Sequence, residues 1–166
     1  KLFIPPIIRH LYLRLLSLTS NSLFDGDDFL FKKLIEGIKI YGEYGCGLSS
    51  KWMLNNTSSK VISVDSSKEW VKKVKKMTKN HKSRLIINHV DLGKVGSWGR
   101  PISYEKSYKF SDYTDYIWKR SEKPKMVLVD GRFRVSCVLK SLSYLPKDSR
   151  CMLLLDDYRD HYKVIK

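Results

Sequence analysis

Residues 37–47, GIKIYGEYGCG, decide the fold of this chain. The apolar positions before Glu43 predict a buried strand, and residues 48–54, which follow the glycines, read as the start of a helix. Glycine allows the tight turn between them and lets a ligand lie close to the backbone. The helix N-terminus adds N–H groups that have no partner within the helix. This order of elements predicts the cradle of a nucleotide-type cofactor.

A second apolar run, residues 60–64, ends in Asp65, eighteen residues after Gly47. A carboxylate at that place can accept hydrogen bonds from both ribose hydroxyls of an adenosyl group. The dinucleotide fingerprint G-x-G-x-x-G/A is incomplete, because Ser50 stands at its third small position. Glu43, two residues before the first glycine, makes the pattern E-x-G-x-G instead. An ordinary glycine-rich turn in another α/β protein is the alternative interpretation.

The composition is that of a single folded domain. The chain has 166 residues with 42% hydrophobic content, and no apolar run approaches the ~20 residues of a membrane span. We predict an N-terminal helical extension over residues 1–24 and the main domain over residues 25–166. Three cysteines without paired spacing indicate reduced side chains and a cytoplasmic protein.

The net charge of +15 comes from 32 basic and 17 acidic residues, and it raises the question of a polyanionic partner. The densest basic run, residues 68–84, has apolar residues at helical spacing, so it predicts an amphipathic helix with a lysine-rich outer face. A solvated face is the favoured interpretation, because lysine runs alone are unspecific. Nucleic-acid or polyanion binding is the alternative, although the sequence carries no signature of a nucleic-acid-binding module.

Predicted strands and helices alternate along residues 38–155, which indicates an α/β fold. We predict a Rossmann-like, doubly wound, mostly parallel sheet with helices on both faces, which binds ligands at the carboxyl ends of its strands. Each of the five predicted strands ends in an acid, and crowded carboxylates are costly unless they bind something. These acids are Glu43, Asp65, Asp91, Asp130, and the pair Asp156 and Asp157.

The segment 93–123, between strands three and four, is long and rich in aromatic residues. Its length indicates a functional element, and its aromatic density argues against disorder. We predict a partly helical lid over the cofactor at residues 111–119, with acceptor contacts as a further role.

Several strand ends carry motifs that resemble those of the class I S-adenosylmethionine-dependent methyltransferases, along about residues 25–162. The motifs are EYGCG at 43–47, VDGRFR at 129–134 and DDY at 156–158, with DLG at 91–93 and WG at 98–99. Within that superfamily the chain is most similar to small methyltransferase-like proteins linked to glycan and polysaccharide biosynthesis. The resemblance implies a Rossmann-like fold and a pocket for S-adenosyl-L-methionine.

The same resemblance implies roles for individual residues. Glu43 and the glycine loop would flank the methionine part of the cofactor, Asp65 would hold the ribose, and Asp91 would lie near the adenine amino group. The implied cofactor residues are Glu43, Gly45, Cys46, Gly47, Asp65, Ser66, Asp91, Leu92 and Trp98. Such folds continue past the fifth strand with a helix and an antiparallel strand pair. Because the chain ends at Lys166, we expect that pair to be missing and the open edge to favour a homo-oligomer.

The predicted chemistry is methyl transfer to a hydroxyl, which requires positioning of the acceptor and removal of a proton. Asp130 is the first candidate for the base, and His161 is the second, with a surface loop histidine as its alternative. Arg132 and Arg134 are predicted to bind an anionic group of the acceptor, with Tyr158 beside them. The alternative for both arginines is an ion pair with a neighbouring carboxylate.

A metal-dependent version of the site would use the carboxylates at the ends of strands four and five. Asp130, Asp156 and Asp157 would form a hard oxygen site suited to Mg²⁺ or Ca²⁺. This arrangement resembles the catechol-type O-methyltransferases. The two arginines that follow Asp130 count against the metal, since they compete for the same carboxylates.

The sequence therefore predicts an S-adenosylmethionine-dependent methyltransferase that O-methylates a sugar, a glycan or another small hydroxylated acceptor. The alternative is a non-catalytic nucleic-acid or polyanion-binding module on the same scaffold, with strongly salt-dependent binding as its signature. An NAD-dependent oxidoreductase is a third interpretation, and both Ser50 and Glu43 count against it.

Overall fold

The computed structural model describes residues 23–24, 28–96 and 100–156. The predicted extension over residues 1–24 falls almost wholly outside the described residues, as do four candidate site residues, Trp98, Asp157, Tyr158 and His161. The chain divides into two compact units, residues 1–36 and residues 37–166. No helix in the described ranges is long and apolar enough to cross a membrane.

In the first unit, a short helix, α1 (Phe29–Leu34), follows Asp28, which occupies the N-cap position. The Asp28 carboxylate accepts the N–H of Leu23 at 2.9 Å rather than an N–H of the helix itself. It also forms an ion pair with Lys32, one turn later, at 3.3 Å. These contacts fasten the residues before the helix to its first turn.

The second unit alternates strands and helices, as the sequence pattern predicts. Its strands are β1 (Ile40–Tyr44), β2 (Lys60–Asp65), β3 (Leu85–His89), β4 (Met126–Val129) and β5 (Met152–Leu155). Its helices are α2 (Leu48–Asn56), α3 (Lys68–Met77), α4 (Phe110–Thr114) and α5 (Arg134–Tyr144), with 3₁₀ helices at Lys79–Arg84 and Ser107–Lys109.

The five strands form one parallel sheet in the order β3-β2-β1-β4-β5. The chain builds outward from β1 to β3, then crosses back and builds outward again from β4 to β5. The predicted Rossmann-like, doubly wound fold is therefore confirmed. In such sheets a ligand binds at the carboxyl ends of the strands where the order reverses, which here is the edge between β1 and β4.

Helices cover both faces of the sheet, because successive side chains of a strand point to opposite sides. In β3, Ile86 packs against the cluster that contains Val138 of α5. Its neighbour Ile87 packs against the other cluster, which contains Val74 of α3. Burial of one such valine stabilises the fold by about 1.5–3 kcal/mol, so these clusters hold the helices at defined positions over the strands.

The segment 111–119 is partly helical, as predicted, but its largest side chains are part of the core, and its role as a lid over the cofactor stays a prediction. The side chains of Tyr113, Ile117 and Trp118 are at most 1% exposed and belong to the main core cluster. The indole N–H of Trp118 also donates to Oγ of Ser141 on α5 at 3.0 Å. Large aromatic side chains stabilise a fold most when they are buried against it, and the face of β1 and β4 gave this segment a surface to cover.

The lysine-rich helix is shorter than the basic run that predicts it. α3 ends before Thr78, which leaves the helical conformation at φ −115° and ψ 24°, and a 3₁₀ helix follows. The last basic residue of the run, Arg84, turns inward and donates to the carbonyls of Thr57, Ser59 and Leu54 at 2.8, 3.0 and 2.6 Å. Arg84 therefore fastens the end of α2 to the sheet and takes no part in the lysine face.

Candidate functional site

The carboxyl edge of the sheet gathers acids from three strand ends. The N–H of Asp130 donates to the Tyr44 carbonyl at 3.0 Å, and the N–H of Asp156 donates to the Val129 carbonyl at 3.2 Å. The hydrogen-bonded ladder therefore continues one residue past β4 and β5. Asp65 is the last residue of β2. The strand register thus brings these three side chains to one edge, where the fold binds its ligands.

The glycine loop after β1 lies in backbone contact with the loop after β4. Gly45 has φ +91°, a conformation that favours glycine, and a Cβ there would lie 2.8 Å from the backbone N of Gly131. A Cβ on Gly131 would lie 2.7 Å from the N of Gly45 and 2.1 Å from Oη of Tyr113. Both loops need glycine to approach so closely. This contact between the two loops was not predicted from the sequence, although Gly131, the glycine of the VDGRFR motif, was a signal for it.

All three N–H groups of the loop Gly45–Gly47 have acceptors within the protein. They donate to the Val64 carbonyl at 2.8 Å, to Oδ2 of Asp65 at 2.8 Å and to Oγ of Ser50 at 3.1 Å. A phosphate cradle instead directs its backbone N–H groups at the ligand. The loop therefore suits a cofactor that brings no phosphate to this point. S-adenosylmethionine, which contains no phosphate, meets that condition, whereas a dinucleotide does not.

Asp65 holds the loops on both sides of it. Besides the Cys46 N–H on Oδ2, its Oδ1 accepts the N–H of Ser67 at 2.7 Å. An ionised carboxylate has about four acceptor sites, so each oxygen keeps capacity for one further donor. Ser66, between these residues, is half-buried, and its carbonyl lies 3.2 Å from Nε2 of His89. Asp65, the residue predicted to bind the ribose, therefore lies at the carboxyl edge of the sheet. Two backbone N–H groups set the orientation of its carboxylate.

Glu43 is fully buried below the glycine loop. The hydroxyls of Ser49 and Ser50, in the first turn of α2, donate to its two carboxylate oxygens, the former at 2.9 Å. Burial raises the pKa of Glu43 to about 7, although the surrounding hydroxyls, first those of Ser50 and Ser49, oppose the change. These serines join the site as residues that sequence reasoning missed. The implied contact of Glu43 with a cofactor amino group stays a prediction.

Replacing Glu43 with glutamine is expected to change how stability depends on pH. The folded protein holds the proton of Glu43 more tightly than the unfolded chain does, since its pKa rises from 4.5 to about 7. The resulting stabilisation is complete below about pH 4.5 and is lost as the pH rises through about 7. Such a shift corresponds to about 3 kcal/mol, and glutamine, which mimics the protonated acid, removes the dependence.

The measurement is urea unfolding of both proteins between about pH 5 and pH 8. From the low to the high end of this range, the free energy of unfolding of the wild-type protein should fall relative to that of the glutamine variant. Taking the difference between the two proteins cancels the histidines, which titrate in the same range. Parallel curves would contradict the assignment of a raised pKa to Glu43.

Asp91 lies two residues beyond β3 and is tied to the segment before α4. It forms an ion pair with Lys106, and its Oδ1 accepts the N–H of Gly93 at 2.9 Å. The hydrogen bond from Lys106 lowers the pKa of Asp91 to about 2. The adjacent Leu92 is 1% exposed and points into the core. A cleft of about 400 Å³ opens beside Asp91, between residues 88–91 and the segment 109–120.

Arg134, the first residue of α5, links the ends of β4 and β5. Its Nη2 donates to Oδ1 of Asp130 at 2.8 Å, and its Nη1 donates to the carbonyl of Asp156 at 2.7 Å. The side chain is only 12% exposed. This contact with Asp130 is the ion pair that the sequence left open as the alternative to acceptor binding. A role for Arg134 in binding the acceptor stays a prediction.

Arg132 stands in a different environment. Its backbone N–H donates to Oη of Tyr113 at 3.0 Å. Within the part of the chain that the structure describes, no ion pair involves its guanidinium. Of the two arginines in the motif, Arg132 is therefore the one whose guanidinium has no acidic partner among residues 28–96 and 100–156.

The metal site has no support among the described residues. No three Asp, Glu, His or Cys side chains of residues 28–96 and 100–156 come together as metal ligands. Asp157, the third predicted ligand, lies outside those ranges. The cation beside the other two carboxylates is the Arg134 guanidinium, 2.8 Å from Asp130 and 3.9 Å from Asp156.

Phe133 connects the VDGRFR motif to α5 through an unusual backbone conformation. It has φ +53° and ψ 39°, the left-handed region that costs a non-glycine residue roughly 1–2 kcal/mol. Its ring packs 4.6 Å from that of Phe110 and 6.0 Å from that of Tyr113, measured between centroids. Aromatic packing offsets the backbone strain and fixes the loop that carries Asp130 and Arg132.

Comparison with known proteins bears on the fold of the chain and on its superfamily. No family model and no curated protein matches the chain. Among solved structures, it is similar to a methyltransferase-like protein from Silicibacter pomeroyi, with 27% identity over 97% of this chain and 75% of the other, and a TM-score of 0.64. YjhP from E. coli is a more distant likeness, with 12% identity over 82% of this chain and 50% of the other and a TM-score of 0.45. The resemblance to the class I methyltransferase superfamily is confirmed, and the link to glycan biosynthesis stays a prediction.

Proposed function

We propose that this chain is an S-adenosylmethionine-dependent methyltransferase that O-methylates a sugar or another small hydroxylated molecule. The observation that carries the proposal is the loop Gly45–Gly47, whose N–H groups are all bonded within the protein while Asp65 keeps acceptor capacity. That combination suits an adenosyl group without phosphates. The likeness to a methyltransferase-like protein at 27% identity supports the class of reaction.

Three residues fit the parts of the cofactor. Asp65 would accept the two ribose hydroxyls with the acceptor sites that Cys46 and Ser67 leave over. Gly47 would let the methionine part lie against the backbone, because no atom outside residues 46–48 lies within 4 Å of the place where a Cβ would be. Asp91, at the mouth of the cleft, would accept the adenine amino group. When bound, the cofactor supplies a methyl group on a positively charged sulfur.

The chain itself must position the acceptor and take its proton. The Asp130 side chain is 42% exposed at the carboxyl edge, where it forms an ion pair with Arg134 at 2.8 Å, and a carboxylate is a group that can take the proton of a hydroxyl. The guanidinium of Arg132 would bind a phosphate or carboxylate group of the acceptor through paired hydrogen bonds. These two residues would orient the hydroxyl toward the cofactor.

Calorimetric titration tests the proposed cofactor. S-adenosylmethionine and S-adenosylhomocysteine are expected to bind the purified chain at micromolar concentrations, and NAD is expected not to bind. Unlike S-adenosylmethionine, NAD carries phosphates, and the loop Gly45–Gly47 has no unbonded N–H group to bind them. Binding of NAD in preference to the other two, or no binding by a folded sample, would overturn the proposal.

Replacing Asp130 with asparagine is expected to lower kcat about tenfold and to leave cofactor affinity unchanged. Asparagine keeps an oxygen for Arg134 but cannot take the proton. General-base catalysis is worth up to 10²–10⁴-fold, and the effect should lie below that range because positioning supplies much of the acceleration when the methyl group is already activated.

The measurement is the rate of S-adenosylhomocysteine formation with an acceptor found in a screen that starts with sugars. Asp148→Asn serves as the matched control, since Asp148 is exposed in the turn before β5, at the opposite edge of the sheet. Full activity of the Asp130→Asn enzyme would remove Asp130 from the role of base.

A further inference from the structure

The outer surface of α3 concentrates positive charge that the proposed methyl transfer does not use. Residues 66–90 contain eight basic residues and one acid, Glu69, which gives this segment a net charge of +7. The whole chain has a net charge of +15, so almost half of it falls in these 25 residues. Charge so unevenly distributed produces a local field far stronger than the average over the surface.

The helix presents these lysines on one face. Lys68, Lys72, Lys75 and Lys76 stand at positions i, i+4, i+7 and i+8, and all four are exposed. Val71 and Val74 lie on the side of the helix that is buried against the sheet, and Val71 borders the lysine face. At a rise of 1.5 Å per residue, the lysine face is about 12 Å long. The lysine face, defined as these four residues, is therefore a row of flexible ammonium groups carried on a straight helix.

The charge of the lysine face is only partly offset by the described part of the chain, where Glu69 in the first turn of α3 interacts electrostatically with Lys72. Other lysines have acidic partners, such as Lys60 with Glu122 and Lys106 with Asp91, but no ion pair within residues 28–96 and 100–156 involves the lysine face. Like charges at i and i+4 on a helix repel each other and lower its stability. A polyanion laid along the face would turn that repulsion into attraction.

The chemistry of the lysine face restricts what it can bind. Lysine is a point charge without the planar fork by which arginine recognises base edges. Trp70 is the exposed large apolar residue of α3, and the Lys73 ammonium lies 4.2 Å from the centroid of its ring. A single such side chain is less than the series of aromatic residues in a stacking platform or the apolar face of a membrane-binding helix. The partner that this chemistry favours is a regular array of anions. Duplex nucleic acid is such an array, with one negative charge per roughly 1.7 Å of its axis.

We infer that the lysine face of α3 docks on the phosphate backbone of a nucleic-acid duplex without reading its sequence. The docking surface is separate from the proposed cofactor site, so it goes beyond the proposed function and does not depend on it. It would place the carboxyl edge of the sheet beside the duplex, because α3 begins three residues after Asp65.

Fluorescence anisotropy with mixed-sequence duplex DNA and duplex RNA of about 20 base pairs tests the inference between about 50 and 200 mM salt. The variant replaces Lys68, Lys72, Lys75 and Lys76 with glutamine, which forms helix well. Its slope of log K against log salt should be smaller than that of the wild-type chain by about 3–4, at about 0.9 per phosphate contact. Between about 50 and 200 mM salt, the affinity of the wild-type chain should therefore fall about a hundredfold more than that of the variant.

A second variant with the same change in net charge is the matched control. It replaces four exposed lysines outside α3, Lys39, Lys94, Lys125 and Lys147, with glutamine. The control should keep nearly the wild-type slope. Equal losses in both variants would show that total charge and not this face binds the duplex, and the inference would be overturned.

Heparin and vesicles with anionic lipid probe the other polyanions. Binding of either through the same four lysines, with no duplex binding by the wild-type chain, would overturn the inference in favour of that partner. Circular dichroism and the S-adenosylmethionine titration check that each variant keeps its fold and cofactor site. Should the fourfold variant not fold, the pairs Lys68/Lys72 and Lys75/Lys76 replaced separately should each remove about half of the slope change.

Discussion

Replacing Asp65 with alanine is expected to weaken S-adenosylmethionine binding at least a hundredfold. The loss includes two hydrogen bonds from ribose hydroxyls to an ionised acceptor, each worth about 1.5–3 kcal/mol. It also includes the anchoring of the Cys46 and Ser67 N–H groups, which Asp65 accepts at 2.8 and 2.7 Å. With those donors released, the loop that lies against the cofactor loses its fixed position. The measurement is the same calorimetric titration that tests the proposed function.

Two variants separate loss of binding from loss of fold. Asp148→Ala removes the same charge from the opposite edge of the sheet and should leave the affinity unchanged. Asp65→Asn keeps the size of the side chain but replaces one acceptor oxygen by a donor. Its affinity for S-adenosylmethionine should therefore lie between those of the alanine variant and the wild-type chain. An Asp65→Ala protein that is folded and binds the cofactor with unchanged affinity would show that the ribose lies elsewhere.

The fold and the cofactor loop were predictable because their signals are local. The positive φ of Gly45 is a conformation for which glycine is the natural residue, so the turn is visible in the sequence itself. Apolar runs that end in an acid, such as the one before Asp65, mark a strand and its carboxyl edge at the same time. Because parallel strands share one edge, the clustering of the acids followed from the strand assignments alone.

The remainder of the site depends on contacts between residues that are distant in the chain. Tyr113 and Ile117 could have covered either the cofactor or the sheet, and the choice follows from which face of the assembled sheet is open. Arg134 could have held an acceptor, but its guanidinium lies between Asp130 and the carbonyl of Asp156, twenty-two residues away. No periodicity or motif records such distances, since each is set by how β4, β5 and α5 pack together.

The second large effect concerns Gly131, where we expect replacement by alanine to lower the free energy of unfolding strongly. An alanine there would place its Cβ 2.1 Å from Oη of Tyr113 and 2.7 Å from the backbone N of Gly45. Overpacking usually costs about 1–3 kcal/mol, and this case should reach about 3 kcal/mol or more because one neighbour is backbone and the tyrosine is fully buried. The free energy of urea unfolding, compared with that of the wild-type chain, measures the effect.

A double-mutant cycle identifies which contact is responsible. Tyr113→Phe removes the hydroxyl that accepts the Arg132 N–H, so alone it should destabilise the chain modestly, by about 1 kcal/mol. Combined with Gly131→Ala, it should recover at least about 1 kcal/mol, since the shortest contact is gone. Additive effects of the two changes would contradict the contact between Gly131 and Tyr113.

Gly47 is the matched control, because it lies in the same loop contact region but has open space around it. Apart from its two chain neighbours, no residue has an atom within 4 Å of the place of its Cβ. Gly47→Ala should therefore change the free energy of unfolding by no more than about 0.5 kcal/mol while lowering cofactor affinity, since the added methyl group fills space that the ligand would occupy. Gly131 would then be needed for the two loops to pack against each other, and Gly47 would be needed for the ligand to approach the backbone. A Gly47→Ala protein with full affinity would mean that the cofactor does not lie against this part of the loop.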